Sequence, residues 1–355
     1  MSLGRVQVTD FRCLHSVDLE LDPHFTLISG ANASGKTSLL EALYVLGRGR
    51  SFRTRRLEHL IQRGAERFVV FGEVNTSVRS RVALGVEGTS AGVRARVDGD
   101  RPTTLAELAL LLPVQIIDPE VHRLIEEGPS RRRRFLDWGV FHVEPAFVGQ
   151  WQRYQQGLKQ RNAALKSRQP RGVISAWDVE LARSGEALNA ARARYVAALD
   201  EQARVIGRHL LDMEMSLSYR GGWSKELTLA EALAQNLGHD QEVGVTQVGP
   251  HRAELSIRLD AAAVKDRISR GQQKLLAAAL LIAQLKLFPE NSAIRPTLLL
   301  DDPAAELDDA RLAGLIAEVA SQQVQLVVTT LHSEFPAFGK PGRRFSVFQG
   351  QVAPA

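Results

Sequence analysis

The sequence predicts an α/β fold in which a parallel core sheet and an antiparallel β layer carry an inserted helical arm. Three observations lead there. Residues 1 to about 120 alternate strand-like runs with a helix whose leucines recur at helical spacing. Residues from about 121 to 240 form long helical runs with few glycines or prolines. From 265 onward the order is helix, buried strand, helix, strand, which belongs to a parallel sheet. The C-terminal half therefore completes the sheet that the N-terminal strand begins. The expected division is 1–120, 121–240 and 241–355, the outer two forming one discontinuous domain around the arm.

Each element has a local reason. Val6 and Val8, then Val17, Leu19 and Leu21, alternate as in two half-buried strands. "FTLISG", Phe25 to Gly30, is an apolar strand ending on glycine, and "KTSLLEALYVLG", Lys36 to Gly47, follows as a helix. "RFVVFGEVNT", "SRVALGVEG" and "GVRARVDGDRP" read as successive strands separated by turn residues. In the arm, "RQPRG", Arg168 to Gly172, breaks two helical runs into an antiparallel pair. Strand character returns at "LSYRGG" and "AELSIRLD".

Composition sets bounds on function. Of 355 residues, 44% are hydrophobic and 24% charged, the balance of a soluble globular protein. Cys13 is the one cysteine, so no intramolecular disulfide or cysteine metal hook can form, and a reducing cytoplasm is expected. The N-terminus lacks the apolar region of a signal peptide. No apolar run reaches the roughly 18 residues of a membrane span. The net charge of +5 suits a polyanion partner such as nucleic acid, and equally a solvated basic surface.

"GANASGKTS" matches G-x-x-x-x-G-K-[ST] at Gly30, Gly35, Lys36 and Thr37. Its context is right: an apolar strand precedes it and an apolar-faced helix follows. The candidate nucleotide-binding residues are Gly30, Ala31, Asn32, Ala33, Ser34, Gly35, Lys36, Thr37 and Ser38. The glycines let backbone amides wrap phosphates at a helix start. Lys36 reaches the outer phosphates of ATP, and Thr37 is a ligand for Mg²⁺. The bland alternative is a glycine turn with an incidental Lys-Thr pair. In "PTLLLDDPAAELDD", three leucines deliver Asp301 and Asp302 to the carboxyl edge of a parallel sheet. Asp301 fits a Mg²⁺ ligand, through water, and Asp302 fits a catalytic role on the attacking water. Alone, the pair reads as an acidic strand end.

"ISRGQQKLL" poses a different question, because it lies far beyond any βαβ spacing from the phosphate loop. Ser269 and Gln272 form a capping box before the apolar run "LLAAALLIAQLKLF". That reading is complete by itself, yet an exposed helix start with serine and glycine is also an anion site. With the phosphate loop and "LLLDDPAAELD", the segment resembles the signature of the ABC-type ATPases. Such a resemblance implies that Ser269, Arg270, Gly271 and Gln272 meet ATP held by a second subunit.

"FRCLHSVDLEL", "GRGRSFRT", "RRRRFLDWGVFHVEP", "KQRNAAL" and "GPHRAEL" sharpen the likeness. With the motifs above, nearly the whole chain resembles the RecF family of bacterial recombination mediators, whose fold is an ABC-type, SMC-like P-loop ATPase head. The resemblance implies a weak DNA-stimulated ATPase used as a switch. It implies an ATP-dependent homodimer on gapped or duplex DNA, helping RecO and RecR to load RecA. It also implies roles for Ala305 to Asp308 as the D-loop, with Asp308 near nucleotide, and for Arg12 beside the nucleotide. Gln115, after "LLLPV", takes the Q-loop role of sensing Mg²⁺ and the γ-phosphate. Ala33 replaces a common glycine and Cys13 a common asparagine. Thr330 and His332 leave the switch position unassigned.

"GRGRSFRTRR", Gly47 to Arg56, contains arginines and no acid, which suits contact with a phosphate backbone through Arg50, Arg53, Arg55 and Arg56. It also fits a solvated loop or one folded on its own ATP. "SRRRR", Ser130 to Arg134, fits DNA contact or internal pairing with Glu126 and Glu127. Three other classes compete: the ATPase subunit of an ABC transporter, another SMC-like ATPase, and a P-loop kinase. The inserted arm and arginine loop disfavour the first. The arm is too short for the heptad arms of the second. The signature and D-loop disfavour the third.

Overall fold

The computed structural model describes residues 2–75, 81–99, 101–260, 262–263, 268–289, 294–305, 308–332 and 335–355. The chain divides into two units, residues 1–121 with 289–355 and residues 122–288.

The first unit holds two sheets. β1 (Ser2–Phe11) and β2 (Leu14–Glu20) form a hairpin, and β3 (Phe25–Ser29) runs into the phosphate loop and helix α1 (Lys36–Arg48). β4 (Arg67–Asn75), β5 (Val82–Thr89), β6 (Gly92–Val97) and β7 (Arg101–Thr103) extend the hairpin into an antiparallel sheet ordered β2-β1-β4-β5-β6-β7. Helix α2 (Leu105–Leu111), closed by a Thr104–Glu107 capping box, leads to β8 (Val114–Ile117).

The second unit begins with α3 (Arg123–Glu126) and α4 (Pro129–Val143). α5 (Phe147–Lys166), the short α6 (Arg171–Ser175) and the long α7 (Asp178–Leu211) form the arm. At about 1.5 Å per residue, α7 spans roughly 50 Å. β9 (Met215–Arg220) follows, then α8 (Leu229–Val243), β10 (Glu254–Leu259), β11 (Ala262–Ala263) and α9 (Arg270–Lys286).

Back in the first unit, β12 (Thr297–Asp301), α10 (Asp309–Ala320) and β13 (Gln325–Thr330) give the αβ pattern read from the sequence. β14 (Arg343–Phe348) and β15 (Gln351–Pro354), which the sequence reading did not identify, complete a sheet ordered β15-β14-β3-β13-β12-β8. Its pairings are parallel except for the edge strand β15.

Helix α1 organises the first unit. Residues Ser38 to Gly47 are all buried. Its apolar side chains share one core with β1, β4 and β5 of the antiparallel sheet and with Ile28, Leu299 and Val327 of the parallel sheet. Gly47 has a packing reason: a Cβ there would meet Leu112 O at 2.6 Å and Val114 Cγ2 at 2.5 Å.

The second unit reaches to Phe288, not to about 240, so it takes in the signature helix. The reason is pairing: β10 binds β9 from Met215↔Leu259 to Arg220↔Glu254, and the apolar residues of α9 pack on α7. A buried polar network fixes this unit. Arg161, fully buried, donates to Asp178 Oδ1 (2.7 Å), Asp240 Oδ2 (2.6 Å) and Thr246 Oγ1 (2.8 Å). Arg192 donates to Asp137 Oδ1 (2.8 Å) and to Pro250 O (2.7 Å). His251 Nε2 lies 2.9 Å from Thr246 O, which can only accept, so Nδ1 accepts from the Tyr154 hydroxyl at 2.6 Å. Asp137, Arg161 and the Pro250–His251 pair of this network come from "FLDWG", "KQRNAAL" and "GPHRAEL".

Burial lowers the His251 pKa from its ordinary 6.5 to about 4. Between those values the unfolded chain binds a proton that the folded chain refuses, so stability falls as pH drops from 6.5 toward 4. In urea denaturation, His251→Gln is expected to flatten that pH slope. Equal slopes for the two proteins would remove His251 as its source.

Candidate functional site

The phosphate loop sits where the carboxyl ends of β3, β13 and β12 gather. Gly30 and Gly35 take φ values of +157° and +119°. At Gly30 a Cβ would meet Val347 O at 2.4 Å, so only glycine lets the loop leave β3 there. Ala33, where the sequence departs from glycine, has φ +59°. A side chain in that region costs about 1 kcal/mol, which gives a physical reason for glycine at this point. The turn after β14 supports the loop from behind: Gly350 N donates to Ser34 O at 2.8 Å.

Within the loop, Lys36 Nζ donates to Gly30 O (2.6 Å) and Ala31 O (2.9 Å). Its side chain is turned onto the loop it would share with phosphates. Burial pulls its pKa down, while Asp302 and Asp301 oppose that. Ser34 Oγ is buried without a partner. Orphaned buried hydroxyls are rare, and an anion in the loop would supply the missing acceptor. Thr37 Oγ1 donates to Asp301, 2.9 Å from Oδ2 and 3.1 Å from Oδ1. A hydroxyl and a carboxylate in contact at the helix start are the donor pair that holds Mg²⁺ beside phosphates. Among the described residues no group of three or more His, Cys, Asp or Glu side chains forms a metal cage. A Mg²⁺ shared with substrate phosphates needs only one or two protein ligands. The residues present therefore fit both a triphosphate and its cation.

Asp301 is buried and also accepts from Thr329 Oγ1 at 2.7 Å, which fixes the carboxylate toward Thr37. Thr329 was not singled out in the sequence. The parallel register Asp301↔Thr329 is the signal that finds it. Asp302 follows in a left-handed turn, φ +47°, its N–H donating to Thr329 O (3.2 Å) and Oγ1 (3.1 Å). Burial raises its pKa above the usual carboxylate range, against the pull of Lys36. A carboxylate so tuned is a better proton acceptor than an exposed one.

Other candidates fall elsewhere. Gln115 does not stand where a Q-loop residue is expected: it is buried inside β8, paired with Leu298, three residues short of the level of Asp301. β8 runs on through Ile117, so the residue cannot lie in a loop at the carboxyl edge. Its Oε1 accepts from Arg48 Nη2 at 3.4 Å. Arg12, φ +57°, is held by Glu41 through Nε (2.9 Å) and Nη2 (2.8 Å). Cys13 Sγ lies 3.6 Å from Ser38 Oγ. Of the D-loop, Glu306 and Leu307 lie outside the described residues, and Asp308 is an exposed cap accepting from Arg311 N at 2.9 Å. His332 N donates to Thr330 Oγ1 at 3.2 Å.

The capping box at the signature is present in the second unit. Gln272 N donates to Ser269 Oγ at 3.3 Å, and Ser269 N to Gln272 Oε1 at 3.0 Å. Ser269 and Arg270 are exposed, and Gly271 is half-buried. Arg50, Arg53, Arg55 and Arg56 are all exposed. Three arginines of the "SRRRR" run are engaged internally instead. Arg131 pairs with Glu127 (3.1 Å), Arg132 with Glu254 (2.8 Å), and Arg133 donates to Ala253 O (2.8 Å).

Comparison with known proteins fits this geometry. The family model of the RecF/RecN/SMC N terminal domain matches residues 2–349. The DNA replication and repair protein RecF of Pseudomonas syringae pathovar tomato is 41% identical over 363 residues, 99% of this chain and 98% of that one. RecF of Pectobacterium atrosepticum is 39% identical over 356 residues, again 99% and 98% of the two chains. The solved structure of the recombination mediator protein RecF-ATP in the RecFOR pathway superposes with a TM-score of 0.89 at 27% identity, covering 100% of this chain and 97% of that one. An Smc head bound to the C-winged helix domain of ScpA shares the fold, with a TM-score of 0.62 at 18% identity and coverage of 100% and 97%.

Lys36→Ala tests the loop. Charge-assisted hydrogen bonds of this kind contribute roughly 1.5–3 kcal/mol. Affinity for a fluorescent nucleoside triphosphate is therefore expected to fall roughly 10- to 100-fold. Equilibrium titration giving unchanged affinity would reject Lys36 as a phosphate ligand.

Proposed function

The chain belongs to the RecF family, and from that premise we propose that it is an ATP-switched DNA-binding protein of replication and recombinational repair, acting in the cytoplasm. The observation that supports this most is the convergence of Lys36, Thr37, Asp301, Asp302 and the orphaned Ser34 hydroxyl on one loop.

When bound, ATP and Mg²⁺ supply a polarised terminal phosphoryl group. The chain's own residues do the rest. Lys36 exchanges the carbonyls of Gly30 and Ala31 for phosphate oxygens. Thr37 and Asp301, already in contact, would hold the cation, Asp301 through water, with Thr329 orienting Asp301. Asp302 accepts the proton of the attacking water. Hydrolysis is slow, stimulated by DNA, and resets the switch.

Ser269 contributes from a second copy. Its hydroxyl accepts from Gln272 N–H and keeps its own proton to donate, and the exposed start of α9 offers further amides. ATP on one subunit is thus closed over by the signature of the other. The resulting homodimer holds duplex or gapped DNA through arginines and backbone phosphates, largely without regard to sequence. In this reading it works with RecO and RecR to help load RecA.

Analytical ultracentrifugation with ATP, with ADP and without nucleotide, each with and without duplex DNA, tests the reading. A dimer is expected with ATP alone, and DNA binding is expected to strengthen with it. A nucleotide-independent oligomer would overturn the switch. Ser269→Arg is expected to keep ATP binding in the monomer and lose the dimer; equal dimer yield by light scattering would refute the contact between subunits. Asp302→Asn is expected to dimerise with ATP while turnover falls about 100-fold; normal phosphate release would exclude the proton-acceptor role.

A further inference from the structure

Glu41 is a carboxylate in the middle of α1 with no solvent exposure. Burying such a charge costs several kcal/mol unless it is paired and hydrogen-bonded. Three groups from two separate segments satisfy it. Arg12 at the β1–β2 turn binds both oxygens. From the arginine loop, the Ser51 hydroxyl donates to Oε1, and Arg53 Nη1 donates to Oε2 at 3.3 Å.

Ser51 passes the constraint outward. Its Oγ accepts from Arg53 N (2.9 Å) and Thr54 N (3.0 Å). Thr54 Oγ1 in turn accepts from Arg56 N at 3.1 Å. The loop backbone is therefore hung, bond by bond, from a charge inside the helix whose first residue is Lys36. Its far side is tied to the same turn that holds Arg12: Arg12 N donates to Leu60 O and Gln62 N to Asp10 O, both at 2.8 Å. Charge is left over. One carboxylate faces two guanidinium groups, and Arg50, Arg55 and Arg56 stand exposed with no acid between residues 47 and 57.

We propose that Ser51 and Glu41 are positioning residues that preorganise the arginine loop for a nucleic-acid backbone and anchor it to the nucleotide-binding helix. This rests on the reading of the chain as an ATP-dependent DNA binder. A loop ordered in advance loses less entropy on binding, so its arginines act together rather than singly. Breaking the Ser51 link unfastens the loop backbone at Arg53 and Thr54 while leaving the Glu41–Arg12 pair and the phosphate loop in place.

The test is fluorescence anisotropy of a short labelled duplex with ATP across a salt series, with fluorescent ATP titrated in parallel. Wild type, Ser51→Ala, Ser51→Thr and Glu41→Gln are compared. Ser51→Ala is expected to weaken DNA binding at least about tenfold and to reduce the slope of log K against log salt by about one phosphate contact. Its affinity for ATP stays within about twofold of wild type. Ser51→Thr keeps the hydroxyl and restores both DNA readouts, and Glu41→Gln reproduces the loss. Wild-type affinity and slope in Ser51→Ala overturn the positioning role while leaving the wider function standing. Loss of ATP binding together with DNA binding in Ser51→Ala also overturns it, because the loop would then only support the fold. If the wild type itself gains no DNA affinity from ATP, the functional reading fails and this proposal with it.

Discussion

The first unit depends on one constraint, the burial of α1 on all sides between two sheets. A helix in that position has no solvent face, so every polar group on it needs a partner within the protein. Glu41 meets this demand through Arg12, Ser51 and Arg53. Gly47 meets the steric demand by letting β8 approach. The helix N-terminus, by contrast, opens at the sheet's carboxyl edge, where unsatisfied amides favour an anion. Confinement along the helix and the exposed loop residues Ala31 to Ala33 just ahead of its start are thus two sides of one arrangement.

The second unit solves a similar problem with charge rather than with apolar packing alone. Arg161 and Asp240 are both fully out of solvent, and Arg192 is nearly so. Removing one partner from such a pair leaves an unmatched charge, at a cost of about 3–5 kcal/mol. Each arginine also reaches across elements: Arg161 joins α5 to α7 and α8, and Arg192 joins α7 to α4 and the Pro250 turn. The network specifies one arrangement of helices, since hydrogen bonds of fixed geometry tolerate no sliding.

Much of this was legible in the residues. "GANASGKTS" identified the loop, the leucine run before Asp301 placed the carboxylates, and the capping box at Ser269 has the expected bonds. The parallel sheet and the arm were readable from periodicity. What was not readable depended on partners distant in sequence. Thr329 matters only because β13 lies beside β12. Glu41 looks like one more polar residue in an amphipathic helix until the β1–β2 turn and the arginine loop close on it. Gln115 was misplaced because periodicity gives a strand's existence better than its end, and two further residues of β8 carry the strand past it. The boundary near 240 followed a change in local character, whereas the unit is closed by the β9–β10 pairing, which no local pattern announces.

The turn after β14 has a consequence in time. Val347 backs Gly30, and Gly350 binds the Ser34 carbonyl, so β14 and the turn after it hold a loop that was synthesised more than three hundred residues earlier. Asp301 and Thr329 also come late. A ribosome making this protein exposes the phosphate loop long before the parts that shape it exist. The strands that shape the loop are therefore made some three hundred residues after it, and a chain cut before Gly350 carries the motif without this support.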